Sequence, residues 1–209
     1  KRLLEVFCSN ISVGLNNVML TSRLHQYAYF DPLTGLANRL KLLQTLNETL
    51  QSPLKDRSVL SLIDIDHFAE TNDALGHQFG DLLLCAVAKE LLDHFGKSCH
   101  LARVGGDTFA LLGDERLVEP NNISHVFQQA FNVDGQEVQL SSTIGLIRLA
   151  GYDGGGSDAL KDTNIALKRA KAHQRASHSY FTLDMGVEIR ERVRMMHALR
   201  AAFENERLF

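Results

Sequence analysis

Cysteine is scarce in this sequence, which has three, Cys8, Cys85 and Cys99, in 209 residues. An odd number without paired spacing excludes a disulfide framework and a cysteine metal site, so we expect reduced thiols in a cytoplasmic protein. Long hydrophobic runs are also missing, because the longest, Leu82–Ala88, is far too short to cross a bilayer. No secretory signal is visible at the start, and we expect the chain to be a piece of a longer protein.

Positive charge is not in excess either. Lys and Arg total 22 against 25 Asp and Glu, for a formal net charge of -3. This balance excludes a broad nucleic-acid surface, which requires a surplus of cationic side chains. Low-complexity segments and internal repeats are absent. Hydrophobic residues make up 44% of the chain, enough for one domain with attached helices.

A glycine pair followed by a carboxylate, Gly105–Asp107, lies between the apolar runs Leu101–Val104 and Phe109–Leu112. This pattern predicts a tight β-hairpin, because the turn needs residues that tolerate positive φ. The carboxylate just past the turn would be held rigidly and would point away from the core. It can serve as a metal ligand, although this segment alone favours an ordinary hairpin with a solvated Asp.

A pair of acids, Asp64 and Asp66, ends an apolar β-branched run. In a strand, this spacing puts both carboxylates on one face. An EF-hand loop also starts with such a pair, but Ala69 replaces its required Gly and Leu75 its required Glu. If one sheet brings Asp64 and Asp107 together, their hard oxygen atoms would suit Mg²⁺ or Mn²⁺.

Hydrophobic periodicity predicts a helix, a strand, a helix, a hairpin, a helix, a strand, a helix and a strand in that order. This order contains a βαββαβ unit, so we expect an α+β fold of the ferredoxin-like type, with an antiparallel core sheet and helices on one face. Within it, the expected buried side of the second helix consists of Leu82, Leu83, Val87, Leu91 and Leu92. Ser157 is the expected N-cap of the last helix before the final strand, and Gly186 is expected to open a terminal helix.

Four blocks of this sequence are DPLTGLANR at Asp31–Arg39, DIDHFAETNDALGHQFGD at Asp64–Asp81, GGDTF at Gly105–Phe109 and ALKRAKAHQR at Ala166–Arg175. In order and spacing, they resemble the motifs of the GGDEF domain, the diguanylate cyclase module of bacterial cyclic di-GMP signalling. The resemblance implies a nucleotidyl-cyclase palm with flanking N- and C-terminal helices. It also implies three segments: a signalling helix of an upstream sensor at 1–28, the GGDEF domain at 29–185, and a linker helix to an EAL phosphodiesterase domain at 186–209.

The resemblance also implies roles for individual residues. Metal binding would fall to Asp64, Asp107 and the backbone carbonyl of Ile65, with Mg²⁺ or Mn²⁺ as cofactor and the two carboxylates at the catalytic centre. The family joins two GTP molecules across a homodimer, by charge neutralisation and positioning. The remaining implied roles are guanine recognition by Asn72 and Asp81, phosphate binding by Lys171 and Arg175, and phosphate contacts from the main-chain amides of His67 and Phe68.

Three departures from the family pattern affect the expected activity. Thr108 stands where the family has Glu beside the reacting centre, and a neutral hydroxyl is a poor ligand for Mg²⁺. Ala69 replaces a phosphate-neutralising Lys. The family's RxxD product-inhibition motif would fall at Gly96–Cys99 and is absent, so feedback inhibition at that site is not expected.

These features leave three hypotheses. The first is a degenerate module that binds GTP and Mg²⁺ and regulates an attached EAL phosphodiesterase, the second an active diguanylate cyclase, and the third a dimerisation or relay domain that binds no nucleotide. The losses at Thr108 and Ala69 favour the first over the second, while the retained motif residues disfavour the third. The N-terminal segment could drive dimerisation or pack on a neighbouring domain.

Overall fold

The computed structural model describes residues 26–188, 191 and 194–196. Most of the expected sensor helix (1–28) and linker helix (186–209), and Cys8 with them, lie outside these residues. The named helices are α1 (Arg39–Leu50), α2 (Phe68–Leu75), α3 (His77–Phe95), α4 (Pro120–Gln128) and α5 (Gly156–His173). The strands are β1 (Ala37–Asn38), β2 (Ser58–Ile65), β3 (His100–Gly105), β4 (Thr108–Asp114), β5 (Phe131–Val133), β6 (Gln136–Val138), β7 (Ser142–Arg148) and β8 (His178–Tyr180). Residues 26–29 and 183–188 are also helical.

Six strands form one sheet in the order β1-β3-β4-β2-β7-β8, and β5 pairs with β6 in a separate hairpin. The four central strands pair antiparallel, whereas β1 and β8 join the two edges in parallel. Their connections give the predicted βαββαβ arrangement, which confirms the ferredoxin-like α+β class. All eight residues of β2 are buried, because it lies between β4 and β7 with helices above and below.

Helices cover both faces of the sheet. Within the βαββαβ unit, α3 and α4 pack on one face, in a cluster with Ile63, Phe109 and Ile144. The other face is covered by α1 and α5, which pack with Leu60 and Leu62. The expectation of helices on one face therefore holds for the core unit alone. Alternation along β2 sends its even-numbered side chains, Asp64 among them, towards α5.

Several sequence expectations need correction. Leu83, Val87 and Leu91 are buried as expected, but Leu82 and Leu92 are half exposed. The other apolar side chains that α3 buries are Leu84, Ala88 and Phe95. The N-cap of α5 is Gly155, one residue before the helix begins, and not Ser157. The helix at 183–188 begins before Gly186. The sequence pattern also missed α2 and the β5–β6 hairpin, both too short for a clear periodic signal.

Cys85 and Cys99 are free thiols, as expected for unpatterned cysteines. Burial is the main cause that raises the pKa of each thiol. Within the described residues, no helix has both the length and the apolar character needed to cross a membrane.

Candidate functional site

The turn between β3 and β4 holds the hairpin carboxylate in place. Gly105 and Gly106 both adopt positive φ, at 154° and 55°, which residues with a Cβ rarely tolerate. Arg103 clamps the turn from below, donating from Nε and Nη2 to the Gly106 carbonyl at 3.0 and 2.7 Å. The peptide of Asp107 is tied to the neighbouring strand, because Ile65 N donates to its carbonyl at 3.3 Å. The predicted metal residues Asp64, Ile65 and Asp107 are thus brought together.

Arg103 also binds the first sequence motif, Asp31–Arg39. Arg103 Nη1 donates to both carboxylate oxygens of Asp31, at 3.0 and 3.2 Å, and this pair is largely buried. Burial alone would raise the pKa of Asp31, but hydrogen bonds from Thr34 and Arg103 outweigh it, so its pKa is lowered. The entry segment and the signature turn therefore form one rigid unit.

Asp64 lies at the end of β2 and its side chain is only 6% exposed. Its Oδ2 accepts a hydrogen bond of 3.1 Å from the Thr108 hydroxyl. Its Oδ1 lies 2.5 Å from Lys171 Nζ, an ion pair that leaves Oδ1 without an aligned hydrogen bond. Thr108 and Lys171 therefore contact the two carboxylate oxygen atoms of Asp64 that a metal ion would use as ligands.

The surroundings of Asp107 disfavour its ionised form. Its pKa is raised, first by burial and then by the negative charge of Asp64, although Lys171 and Arg103 partly offset both. Two carboxylates that repel each other are an arrangement that a divalent cation would stabilise. Within the described residues, however, no group of three or more His, Cys, Asp or Glu side chains is placed to hold a metal ion.

The two carboxylates, Asp64 and Asp107, are sufficient ligands for Mg²⁺ only if substrate phosphates complete its coordination. Mg²⁺ is commonly bound through one or two carboxylates together with substrate phosphates, and seldom by protein ligands alone. Asp64, Asp107 and the Ile65 carbonyl would then hold a cation that arrives with a nucleotide. The hydroxyl of Thr108 adds no charge to this set.

The two expected base-reading residues lie on adjacent helices. Asn72 on α2 packs against Gly80 on α3, so closely that a Cβ at Gly80 would lie 1.8 Å from Asn72 Oδ1. Asp81 follows Gly80 and is exposed. Among the described residues, Asn72 Oδ1 is buried without a hydrogen-bond partner, a state that costs free energy until a donor such as an N–H group satisfies it.

The expected phosphate-binding residues cluster where α5 ends. Lys171 lies in the last turn of α5, whereas Arg175 lies two residues beyond it. Arg175 Nη1 is 3.5 Å from Asp66 Oδ1. At the start of α2, His67 adopts positive φ and its ring Nδ1 lies 2.8 Å from a carboxylate oxygen of Glu70. The first amides of α2, including Phe68, lack partners within the helix.

Sequence reasoning missed four residues that organise this site. Asp66 was identified by spacing without a role, and Arg103, Asp31 and Gly80 only as parts of motifs. Their roles depend on pairs far apart in sequence, such as Arg103 with Asp31, 72 residues away. No local pattern signals such a pair.

The site thus has Asp64 at the end of β2 and Asp107 in the neighbouring β3–β4 turn, with Asn72 and Asp81 on adjacent helices and two cationic side chains near the end of α5. The sequence profile of the family described as "Diguanylate cyclase, GGDEF domain" matches residues 28–177. The chain therefore belongs to the GGDEF domain family and is a domain of cyclic di-GMP signalling.

Relatives of the chain are described by opposite activities. It is similar to MucR of Pseudomonas aeruginosa, named a bifunctional diguanylate cyclase/cyclic di-GMP phosphodiesterase, with 31% identity over 192 residues, which is 88% of this chain and 28% of MucR. It is also similar to the cyclic di-GMP phosphodiesterase NbdA of that organism, with 28% identity over 193 residues, 88% of this chain and 24% of NbdA. The chain thus spans about a quarter of the length of these curated relatives.

The fold agrees with solved structures. The GGDEF domain of TpbB (YfiN) from Pseudomonas aeruginosa superposes with a TM-score of 0.70 at 29% identity, over 78% of this chain and 99% of that one. The palm architecture is therefore shared over most of the described residues.

Proposed function

We propose that this chain is a degenerate GGDEF module that binds GTP with Mg²⁺ or Mn²⁺ and regulates an attached EAL phosphodiesterase. In this proposal it acts in the cytoplasm and makes little or no cyclic di-GMP. The observation that carries the proposal is the hydrogen bond from Thr108 to Asp64, at the position where the family has a carboxylate.

Nucleotide binding is supported by the residues that remain. Asp81 can accept from two adjacent N–H donors of guanine, and Asn72 can both donate and accept. A site built on such bonds rejects a base that cannot form them. The buried, unpartnered oxygen of Asn72 argues against a domain that never binds a ligand, because nothing else in the described structure satisfies it.

Weak chemistry follows from the loss of one charge. A bound Mg²⁺ would neutralise negative charge on the phosphates. Asp64 and Asp107 would hold that cation, and Lys171 would leave Asp64 for a phosphate oxygen. Thr108 contributes a dipole where the family supplies a full negative charge. Partners that support a metal site are worth roughly 10–100-fold in affinity or activity, so the turnover should fall at least that far.

Regulation of a second domain is supported by the relatives. Both MucR and NbdA are named as cyclic di-GMP phosphodiesterases, and the chain matches about a quarter of the length of each. We propose that nucleotide binding changes the contacts that this domain makes with such a neighbour, and that segment 1–28 joins two copies as a homodimer.

An active cyclase is the second candidate, because both carboxylates, the base-reading pair and the two phosphate cations are present. The experiment that separates the two compares the chain with Thr108→Glu and Thr108→Gln. Each is incubated with GTP and Mg²⁺ or Mn²⁺ at a concentration that permits dimerisation, and the nucleotides are separated by chromatography. We expect cyclic di-GMP from Thr108→Glu alone, since Gln supplies the length without the charge. Comparable product from the unaltered chain would contradict the degenerate assignment.

A further inference from the structure

We propose that Asp66, which has no contact role in the expected nucleotide site, is the positioning residue of its phosphate-binding end. It would fix the Arg175 guanidinium and the turn that carries it. This inference rests on the proposed function, since the position of Arg175 matters to binding only if a nucleotide phosphate reaches it.

Asp66 is the centre of a buried network. Its side chain is 1% exposed. Oδ1 accepts a hydrogen bond of 2.6 Å from the Thr143 hydroxyl, and Oδ2 accepts bonds of 2.8 Å from the Ser141 hydroxyl and 3.0 Å from Ala176 N. Asp66 N donates to the Ser141 carbonyl at 2.9 Å. One carboxylate therefore joins the end of β2, the start of β7 and the turn after α5.

The turn held by this network is strained. Ala176 has a φ of 55°, in the left-handed region that is unfavourable for a residue with a Cβ. Such a conformation persists only where its surroundings impose it. Its amide is fixed by Asp66 Oδ2 at 3.0 Å and by Thr143 Oγ1 at 3.2 Å. The path of the chain immediately after Arg175 is thus determined by the carboxylate of Asp66.

The guanidinium itself is fixed from one side. Arg175 Nη1 lies 3.5 Å from Asp66 Oδ1, yet 47% of the arginine side chain is exposed. A guanidinium has five N–H donors, so one edge can face the buried carboxylate while the others remain available for phosphate oxygens. No other hydrogen bond or ion pair ties Arg175 to the residues that the structure describes.

The two acids at the end of β2 divide the two cations between them. Asp64 pairs with Lys171, and Asp66 pairs with Arg175. When a nucleotide and its metal bind, Lys171 must leave Asp64, because the metal needs that carboxylate. Arg175 has no such need to move, since Asp66 is 1% exposed and its carboxylate already accepts hydrogen bonds from Thr143, Ser141 and Ala176. Asp66 therefore keeps its cation in place through the binding cycle.

The test uses Asp66→Asn in the full 209-residue chain, with Asp153→Asn, an exposed acid, as the matched control. Isothermal titration measures affinity for GTP and for guanosine, which lacks phosphate. We expect GTP affinity to fall roughly tenfold or more in Asp66→Asn, as when a residue that orients a ligating group is lost. Guanosine affinity should stay unchanged, and the control should match the unaltered chain for both.

A second variant separates positioning from mere stability. In Asp66→Asn/Ala176→Gly, glycine relieves the left-handed strain and also provides a folded protein should the single variant fail to fold. We expect thermal stability to recover while GTP affinity stays low. Recovery of GTP affinity, or an equal loss of guanosine affinity, would overturn the positioning role. If the unaltered chain binds guanosine but not GTP, or neither, the proposed function itself fails.

Discussion

Gly80→Ala should weaken nucleotide binding without harming the fold. A Cβ at this position would lie 1.8 Å from Asn72 Oδ1 and 3.2 Å from Phe68 Cζ. Contacts under 3.0 Å do not occur, so one atom must shift. The Asn72 oxygen is the free end of a short side chain and will rotate away, because this is easier than moving either helix. The amide then leaves the position from which it would bind guanine.

The two effects of this substitution have opposite signs. Alanine is better than glycine inside a helix by about 1 kcal/mol, which offsets the crowding against Phe68. The stability of the chain should therefore change by no more than about 1 kcal/mol. Loss of one or two hydrogen bonds to guanine, each worth about 0.5–1.5 kcal/mol, should lower GTP affinity by about tenfold.

The assay pairs thermal denaturation with GTP titration in the presence of Mg²⁺. Gly155→Ala serves as control, since its added Cβ would meet nothing nearer than Asp158 Oδ2 at 3.9 Å. We expect the control to bind GTP normally and Asn72→Ala to reproduce the loss. Unchanged GTP affinity in Gly80→Ala would refute the assignment of Asn72 to the base.

Three further predictions concern stability. Asp107→Asn should stabilise the chain at pH 7, because the raised pKa of Asp107 means that its ionised form opposes folding beside Asp64. This gain in stability should vanish below about pH 3.8, the pKa of Asp107 in the unfolded chain, where the carboxyl is protonated in both states. Asp31→Asn should lower the stability by about 1–2 kcal/mol at pH 7, because the charge-assisted hydrogen bonds to Arg103 are lost. Since the pKa of Asp31 is lowered in the folded chain, this difference persists above about pH 3.8 and disappears as the pH falls through the folded-state pKa of Asp31. Gly145→Ala should cost about 3 kcal/mol, because its Cβ would meet the backbone of α5 at 2.4 Å.

Chemical denaturation at several pH values checks all three. Asp153→Asn is the control for the two charge changes, since it removes an exposed carboxylate. A loss of stability in Asp107→Asn at pH 7, or a pH-independent effect of Asp31→Asn, would contradict the electrostatic account. Gly145→Ala with unchanged stability would contradict the close approach of β7 and α5.

The positions of the elements could be predicted from local patterns because their signals are local. Gly105 and Gly106, for example, form the turn that the glycine pair and its flanking apolar runs predict. The buried side of α3 was predicted only in part, because Leu83, Val87 and Leu91 are buried as expected whereas Leu82 and Leu92 are half exposed. Its apolar residues surround most of the helix, so periodicity could not show that Leu84 is buried and Leu82 exposed.

The candidate site could be predicted only in part. Asp64 was identified from its spacing and Lys171 from the family resemblance, and the structure places them in contact. The role of Asp66 could not be inferred, because its partners Thr143 and Ala176 are 77 and 110 residues away. A network of this kind depends on three loops meeting at one end of the sheet, which is a property of the fold and of no single segment.

Selective nucleotide binding is the central claim, and one titration tests it most directly. The chain and its Asp81→Ala variant are titrated with GTP and with ATP in the presence of Mg²⁺, and each mixture is then checked for cyclic di-GMP by chromatography. We expect saturable GTP binding by the chain, with ATP at least about tenfold weaker, loss of this preference in the variant, and GTP recovered intact. No saturable binding, or equal affinity for GTP and ATP, would contradict the account.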